Sequence, residues 1–314
     1  MLGCGLFAAR CLQRAASTSS PSAATACAAS SSLLVAAALL CKESAIVLPL
    51  LLALAAYHQR THRSIRLGLA LGAALVALYL TLRLPVLVES ARADPAYAWP
   101  LRHVPARWVE YSLYPFMPPL FEIGPLLGKS AMRVAAAAGC VMLFFAALST
   151  AGWRWPLAML VAFSAALAPV LVLPASYDHY AYLASAVAVA IAASAWSMLA
   201  RAARATLLTL AGIGILHGIL VMSRIHAVGV VQRNLYDDLL RSLHDSPASL
   251  HVAAADPRDA WLLDRLLSHV DAYRGVPFGA RVRFGEDMPV QPADRLLSMR
   301  RNGHLSEGAS LTPD

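Results

Sequence analysis

The chain has 314 residues, 59% hydrophobic and only 14% charged, with a formal net charge of +8 and a mean hydropathy of +0.59. A soluble domain carries about a quarter charged residues, so these values argue against a wholly water-soluble globule. No basic stripe with interleaved aromatics is present, which sets aside nucleic-acid binding. The charge deficit is uneven. Residues 1–224 hold six of the eighteen acidic residues, Glu43, Glu89, Asp94, Glu110, Glu122 and Asp178, and residues 225–314 hold the other twelve together with ten arginines. The chain therefore reads as a membrane part followed by a water-soluble tail. The five cysteines, at 4, 11, 27, 41 and 140, match no zinc or redox spacing, and none of them lies in the tail.

Taken in chain order, residues 1–30 carry Arg10 and Arg14 among many Ala and Ser residues, with no acid. This composition fits a secretory signal poorly and resembles an organelle transit peptide; a misplaced start or an irregular segment outside the native reading frame, ahead of a truncated gene, is the favoured expectation. Apolar runs then predict membrane helices at about 23–41, 44–58, 67–88, 131–151, 155–173, 180–200 and 206–224, since about twenty apolar residues cross the hydrocarbon core. The second run is short and contains Pro49, so a tilted, kinked or re-entrant helix is expected there. One span over 31–57 with Lys42-Glu43 inside it is the alternative. Segment 89–130 is too long for a simple connector. Its Trp108, Tyr111 and Tyr114 recur at helical spacing, which predicts a short interfacial helix or an aromatic belt. His217, within the last run, reads as a packed or hydrogen-bonded histidine.

In the tail, Val231, Leu235, Leu239 and Leu243 form a helical stripe over 228–244. His251 to Ala255 reads as a strand. Asp256-Pro257 reads as the start of a helix running to about 271, and Arg281 to Phe284 as another strand. The last thirty residues read as loose. The predicted class is an all-α polytopic membrane protein of about seven transmembrane helices with a small α/β C-terminal extramembrane domain over 225–314, the membrane domain covering 31–224.

Arginine-bearing short turns set the orientation. Arg60, Arg63 and Arg66, then Arg154, then Arg201 and Arg204 lie in connections without an acid and are expected to face the cytoplasm. The opposite set holds Lys42-Glu43, segment 89–130, the turn at Asp178-His179 and the tail. Charges at membrane depth are costly and point to function. Four features therefore gather on the outer face: Lys42-Glu43; Arg83 near the end of its span; Asp178-His179-Tyr180-Ala181-Tyr182-Leu183; and the loop with Glu110 and Glu122. Lys42, Arg83 and His179 are candidate phosphate partners, and Asp178 and Glu43 are candidate carboxylate bases by position. Structural alternatives are a solvated turn for Lys42-Glu43, a snorkelling Arg83 and a helix cap for Asp178-His179. A metal site is not expected at Asp178-His179, because two adjacent residues supply too few ligands.

Cys41-Lys42-Glu43-Ser44 followed by Val47-Leu48-Pro49-Leu50 resembles the lysine-glutamate segment of multi-spanning GT-C glycosyltransferases. The likeness is greatest to the group related to transmembrane-and-TPR proteins and protein O-mannosyltransferases. Tyr79 to Arg83 resembles the tyrosine-to-arginine segment of that group. Asp178 to Leu183 resembles its tyrosine-rich segment, with His179 where arginine is usual. The resemblance covers about residues 31–225. It implies transfer of a sugar from a polyprenyl-phosphate carrier to a glycan or protein acceptor on the non-cytoplasmic face, in a bacterial inner membrane with the tail in the periplasm. By the same resemblance Tyr180 and Tyr182 join the donor site. The group's catalytic carboxylate belongs to a first external loop that this chain lacks. An N-terminally truncated transferase, active only when completed by further spans, is therefore expected. A non-enzymatic membrane subunit that binds polyprenyl lipid or a partner enzyme is the alternative.

Overall fold

The computed structural model describes residues 2–56, 62–93, 101–117, 130–173, 180–245, 248–256, 259–268, 270–284 and 294–307. The chain divides into two compact units, Met1–Ile219 and Leu220–Asp314, which places the boundary a few residues before the one expected from the acid content.

The first unit is helical. Its helices are α1 (Leu2–Ser17), α2 (Pro21–Cys41), α3 (Leu48–Ala55), α4 (Arg63–Ala93), α5 (Val104–Leu113), α6 (Ala131–Ser149), α7 (Arg154–Leu171), α8 (Ala181–Ala195) and the first part of α9 (Arg201–Asp245). Among the described residues, six helical stretches are long and apolar enough to cross a membrane: Pro21–Cys41, Arg63–Val86, Ala131–Ser149, Arg154–Leu171, Ala181–Met198 and the helix Arg201–Asp245. The expected seventh falls short. A 3-10 turn over Glu43–Val47 precedes α3, whose eight residues rise about 12 Å against a core of about 30 Å. Pro49 sits in the first turn of α3, where its missing N–H costs nothing. Lys42 is extended, with φ −163° and ψ 132°, so a single helix over 31–57 is ruled out.

Residues 1–30 are not irregular: α1 and the start of α2 occupy them. α1 packs through Ala8, Leu12 and Ala15, which are buried, and Ser64 donates to the Ala15 carbonyl at 3.1 Å. The backbones of this unit meet at small residues. A Cβ placed on Gly68 would lie 2.8 Å from the Leu12 side chain and 3.3 Å from the Ala28 carbonyl. Ser32 donates to the Gly68 carbonyl at 3.0 Å and is itself buried. Gly68 and Gly72 have the spacing that permits close helix approach in membranes, a signal the sequence carries openly.

The second unit is α/β. Strands β1 (Leu250–Ala254), β4 (Val282–Phe284), β5 (Arg295–Met299) and β6 (Leu305–Glu307) form a sheet in the order β4-β1-β5-β6, with β2 (Ala272–Tyr273) and β3 (Val276–Pro277) as a separate hairpin. β1 runs parallel to β4 and β5, and β6 is antiparallel to β5. Helix α10 (Ala260–Leu267) begins after Asp259, later than the expected Asp256 and ending earlier than 271. The last thirty residues are not uniformly loose, because β5 and β6 belong to the sheet and β5 is a central strand. Leu235, Leu239 and Leu243 from α9 join Leu250, Val252, Leu263, Leu267, Leu297 and Met299 in one core. The turn between β5 and β6 presses on α9. Gly303 has φ +85°, and a Cβ there would run into the Val231 carbonyl. Within this core the Tyr236 hydroxyl donates to the Leu266 carbonyl and accepts from Gln232. Burial raises the Tyr236 pKa above its ordinary value; the Gln232 hydrogen bond opposes that shift and Tyr273 adds to it.

Candidate functional site

Helices α2 and α4 run in the same direction. Gly68 lies against Ala28, and Gly72 near Val35 and Pro49, so successive turns of one follow successive turns of the other. Lys42, at the C-terminus of α2, lies about 10 Å along the axis beyond Val35, and Arg83 about 16 Å beyond Gly72. Both therefore reach the same end of the bundle, Arg83 about one turn farther out. The start of α8 comes to this end as well, since the Lys42 Nζ lies 5.3 Å from the centroid of the Tyr180 ring. At that distance the ammonium is attracted by the ring face. Lys42 and Tyr180 are half-buried, and Arg83 and Tyr182 are exposed. Three residues singled out from sequence, Lys42, Arg83 and Tyr180, thus share one end. Asp178 and His179 lie outside the described residues, as does the side chain of Glu43.

The arginine-bearing turns gather elsewhere. Thr150, before α7, accepts from the Ala200 N–H at 3.4 Å, which joins the turn before Arg154 to the turn before Arg201. Arg204 donates to the Ser197 carbonyl and lies over the Trp196 ring. These turns stand at the far end of α8 from Tyr180, and Arg63 and Arg66 stand at the far end of α4 from Arg83.

Helix α5 is short, as expected, and Trp108, Tyr111 and Tyr114 share a face at helical spacing that turns into protein. Tyr111 and Tyr114 are buried. The Trp108 indole donates to Ser164, in the middle of α7, at 2.9 Å and packs edge-on against Phe163. Glu110, which the sequence assigns to the outer loop, is 4% exposed and accepts from Arg107 at 2.7 Å. The signal for this pair was available, because Arg107 and Glu110 are three apart on a helix. His217 is buried, as its packed reading expects, with Nδ1 2.8 Å from the Met117 carbonyl and its ring edge-on to Tyr114.

An apolar groove of about 490 Å³ runs between the α3 segment and α4. It is lined by Ile46, Pro49, Leu50, Ala53, Ala73 and Val76, among others. Among the described residues, no group of three His, Cys, Asp or Glu side chains is arranged to hold a metal ion.

No protein-family model, curated protein or solved structure matches the chain. The likeness to GT-C transferases therefore stands on the short motifs alone.

Proposed function

We propose that the chain is an integral membrane glycosyltransferase of the GT-C type, or the C-terminal part of one that further spans complete. It would transfer a sugar from a polyprenyl-phosphate carrier to an acceptor on the non-cytoplasmic side of a bacterial inner membrane, with the tail domain in the periplasm. The observation that carries the reading is the meeting of Lys42 with Tyr180, at the end of the bundle that Arg83 also reaches. The large apolar side chains turned outward from the long helices, such as Leu33, Leu78, Met142 and Ile215, support membrane insertion. The acid-free, arginine-bearing turns at the opposite end support the orientation.

In this reading Lys42, Arg83 and His179 hold the donor phosphate and stabilise it as it leaves. Tyr180 orients the Lys42 ammonium, and the exposed Tyr182 follows two residues later on α8. The acceptor hydroxyl attacks the anomeric carbon, and the bond from that carbon to the phosphate oxygen breaks. The electron pair departs on the polyprenyl phosphate, and the hydroxyl proton passes to Asp178 or Glu43.

A second reading, a non-enzymatic subunit that binds the lipid, is favoured by one observation. Glu110, the buried carboxylate among the described residues of this unit, is engaged with Arg107. Proteoliposomes charged with radiolabelled polyprenyl-phosphate mannose and glucose separate the two. Release of polyprenyl phosphate, lost in Lys42→Ala and in Asp178→Asn, supports the transferase. Saturable binding without release supports the subunit, and no binding in any variant contradicts both.

A further inference from the structure

The second unit begins on the last apolar turn of α9, at Leu220. Between Arg204 and Arg224 the helix carries no Asp, Glu, Lys or Arg, and that stretch rises about 30 Å, the thickness of a hydrocarbon core. In the membrane reading Arg224 then marks the edge of the bilayer. α9 runs unbroken past it to Asp245. Val228 and Val231 already pack against the tail core, about 6 and 10 Å beyond Arg224. Ile225 and Val230, on the same stretch, are exposed.

The turn between β5 and β6 points back toward that edge. The Leu305 N–H donates to Asp238 at 2.9 Å, Asn234 donates to the Asn302 carbonyl at 2.9 Å, and Gly303 presses on Val231. Passing from β6 into the turn therefore moves the contacts from 238 to 231, about 10 Å along α9 toward Arg224. Arg300 and Arg301, in this turn, are exposed, and among the described residues neither side chain has an ion pair or hydrogen bond. The same end of the sheet carries an indole. Ala254, the last residue of β1, pairs with Met299, the last of β5, so α10, which follows β1, starts at the end where the turn lies. Trp261, its second residue, is 52% exposed. Among the described residues, Arg224, Arg233, Arg300 and Arg301 outnumber the acids of this end, Asp256 and Asp259.

We propose that this end of the tail docks on anionic lipid headgroups of the leaflet from which α9 emerges, with Arg300 and Arg301 on the phosphates and Trp261 among the headgroups. The proposal rests on the membrane reading and adds a lipid preference to the domain that composition assigns to water. Charge selects the occupant. A zwitterionic surface would leave the arginine excess uncompensated, whereas each arginine near an anionic surface favours it about fivefold. Tryptophan belongs at the same depth, its ring apolar and its N–H wet.

The test uses the full chain, its five native cysteines replaced, in nanodiscs of mixed phosphatidylcholine and phosphatidylglycerol. A bimane is attached at Asn302→Cys in the turn or at Met222→Cys on the outer end of the span. Quenching is read with a nitroxide on an upper acyl carbon of one lipid or the other. At 302, labelled phosphatidylglycerol should quench at about one tenth of the mole fraction that labelled phosphatidylcholine requires. Arg300→Gln with Arg301→Gln should bring the two lipids to parity, and Arg300→Lys with Arg301→Lys should keep the preference. Arg241→Gln, at an exposed arginine about 25 Å along α9 from Arg224, should change nothing. Equal quenching at 302 by both lipids before these substitutions, or quenching by neither, would overturn the proposal. Quenching at 222 in the same samples would leave the membrane reading standing, and its absence would overturn that reading as well. Should the glutamine variant fail to fold, salt at about 1 M, which screens charges beyond about 3 Å, gives the same readout with both arginines in place. A preference undiminished by that salt would count against the proposal.

Discussion

The two units sort the same residue types in opposite ways. In the helical unit the most deeply covered positions include Ala8, Ala28, Ala38, Ala45 and Ala137, while Leu33, Leu40, Leu82, Met132 and Met142 are more than two-thirds exposed. In the tail the covered positions are Leu235, Leu239, Leu250, Leu263 and Met299, and charges such as Arg241 and Arg274 stand outside. Water rewards burying a leucine. A hydrocarbon surrounding gives no such reward, so helices there meet through small residues, close backbones and hydrogen bonds. The proposed membrane insertion would account for the contrast as two different solvents acting on one chain, and it can be attacked at several points.

The largest effect should come from ion pairs. Glu110→Ala leaves the Arg107 guanidinium, 13% exposed, without its carboxylate in an apolar unit, and should cost about 3–5 kcal/mol. The tail pair Arg295–Glu307, at 37% and 78% exposure, should cost about 1 kcal/mol or less when Glu307→Ala breaks it. Thermal unfolding in detergent micelles measures both, and equal losses would erase the distinction. Glycine contacts come next. Gly303→Ala drives a Cβ into the Val231 backbone at a left-handed φ and should cost about 2–4 kcal/mol. Gly68→Ala meets mainly the movable end of Leu12 and should cost less.

A pH effect belongs to the tail alone. Because burial raises the Tyr236 pKa above its ordinary value near 10, the neutral phenol is the form the fold favours. Stability from this group is present in full below pH 10 and is lost as pH rises through the raised value. Tyr236→Phe should flatten the alkaline limb at a cost of about 1 kcal/mol for the Leu266 hydrogen bond. An unchanged alkaline limb in a denaturant series on the full chain would contradict this. The smallest effect should be Ser32→Ala, which removes the link to Gly68 at about 0.6 kcal/mol.

The long helices were legible because their apolar runs are unbroken, and the α9 stripe because its leucines recur at four. Other elements answer to forces that a local pattern does not carry. The run over 44–58 is apolar enough to span, yet the chain is spent on an extended Lys42 and a 3-10 turn before α3 begins. α1 is hidden by Arg10 and Arg14, which sit among the small residues it packs with. β5 does alternate, with Leu297 and Met299 buried on either side of Ser298, but five residues give that alternation too little length to stand out. The aromatic face of α5 was visible, but its destination, Ser164, is a tertiary fact. The meeting of Lys42 and Tyr180 is of the same kind: each residue was legible, and their proximity was not.

The central claim is that Lys42 and Arg83 open to one compartment and the arginine turns to the other. Single cysteines at 42, 83, 182, 154 and 201, in a background with the five native cysteines replaced, can be exposed to a membrane-impermeant maleimide in sealed, right-side-out vesicles. Labelling of positions 42, 83 and 182 from outside, with 154 and 201 labelled only after permeabilisation, is the predicted result. Labelling of 42 and 83 from different sides would contradict the account.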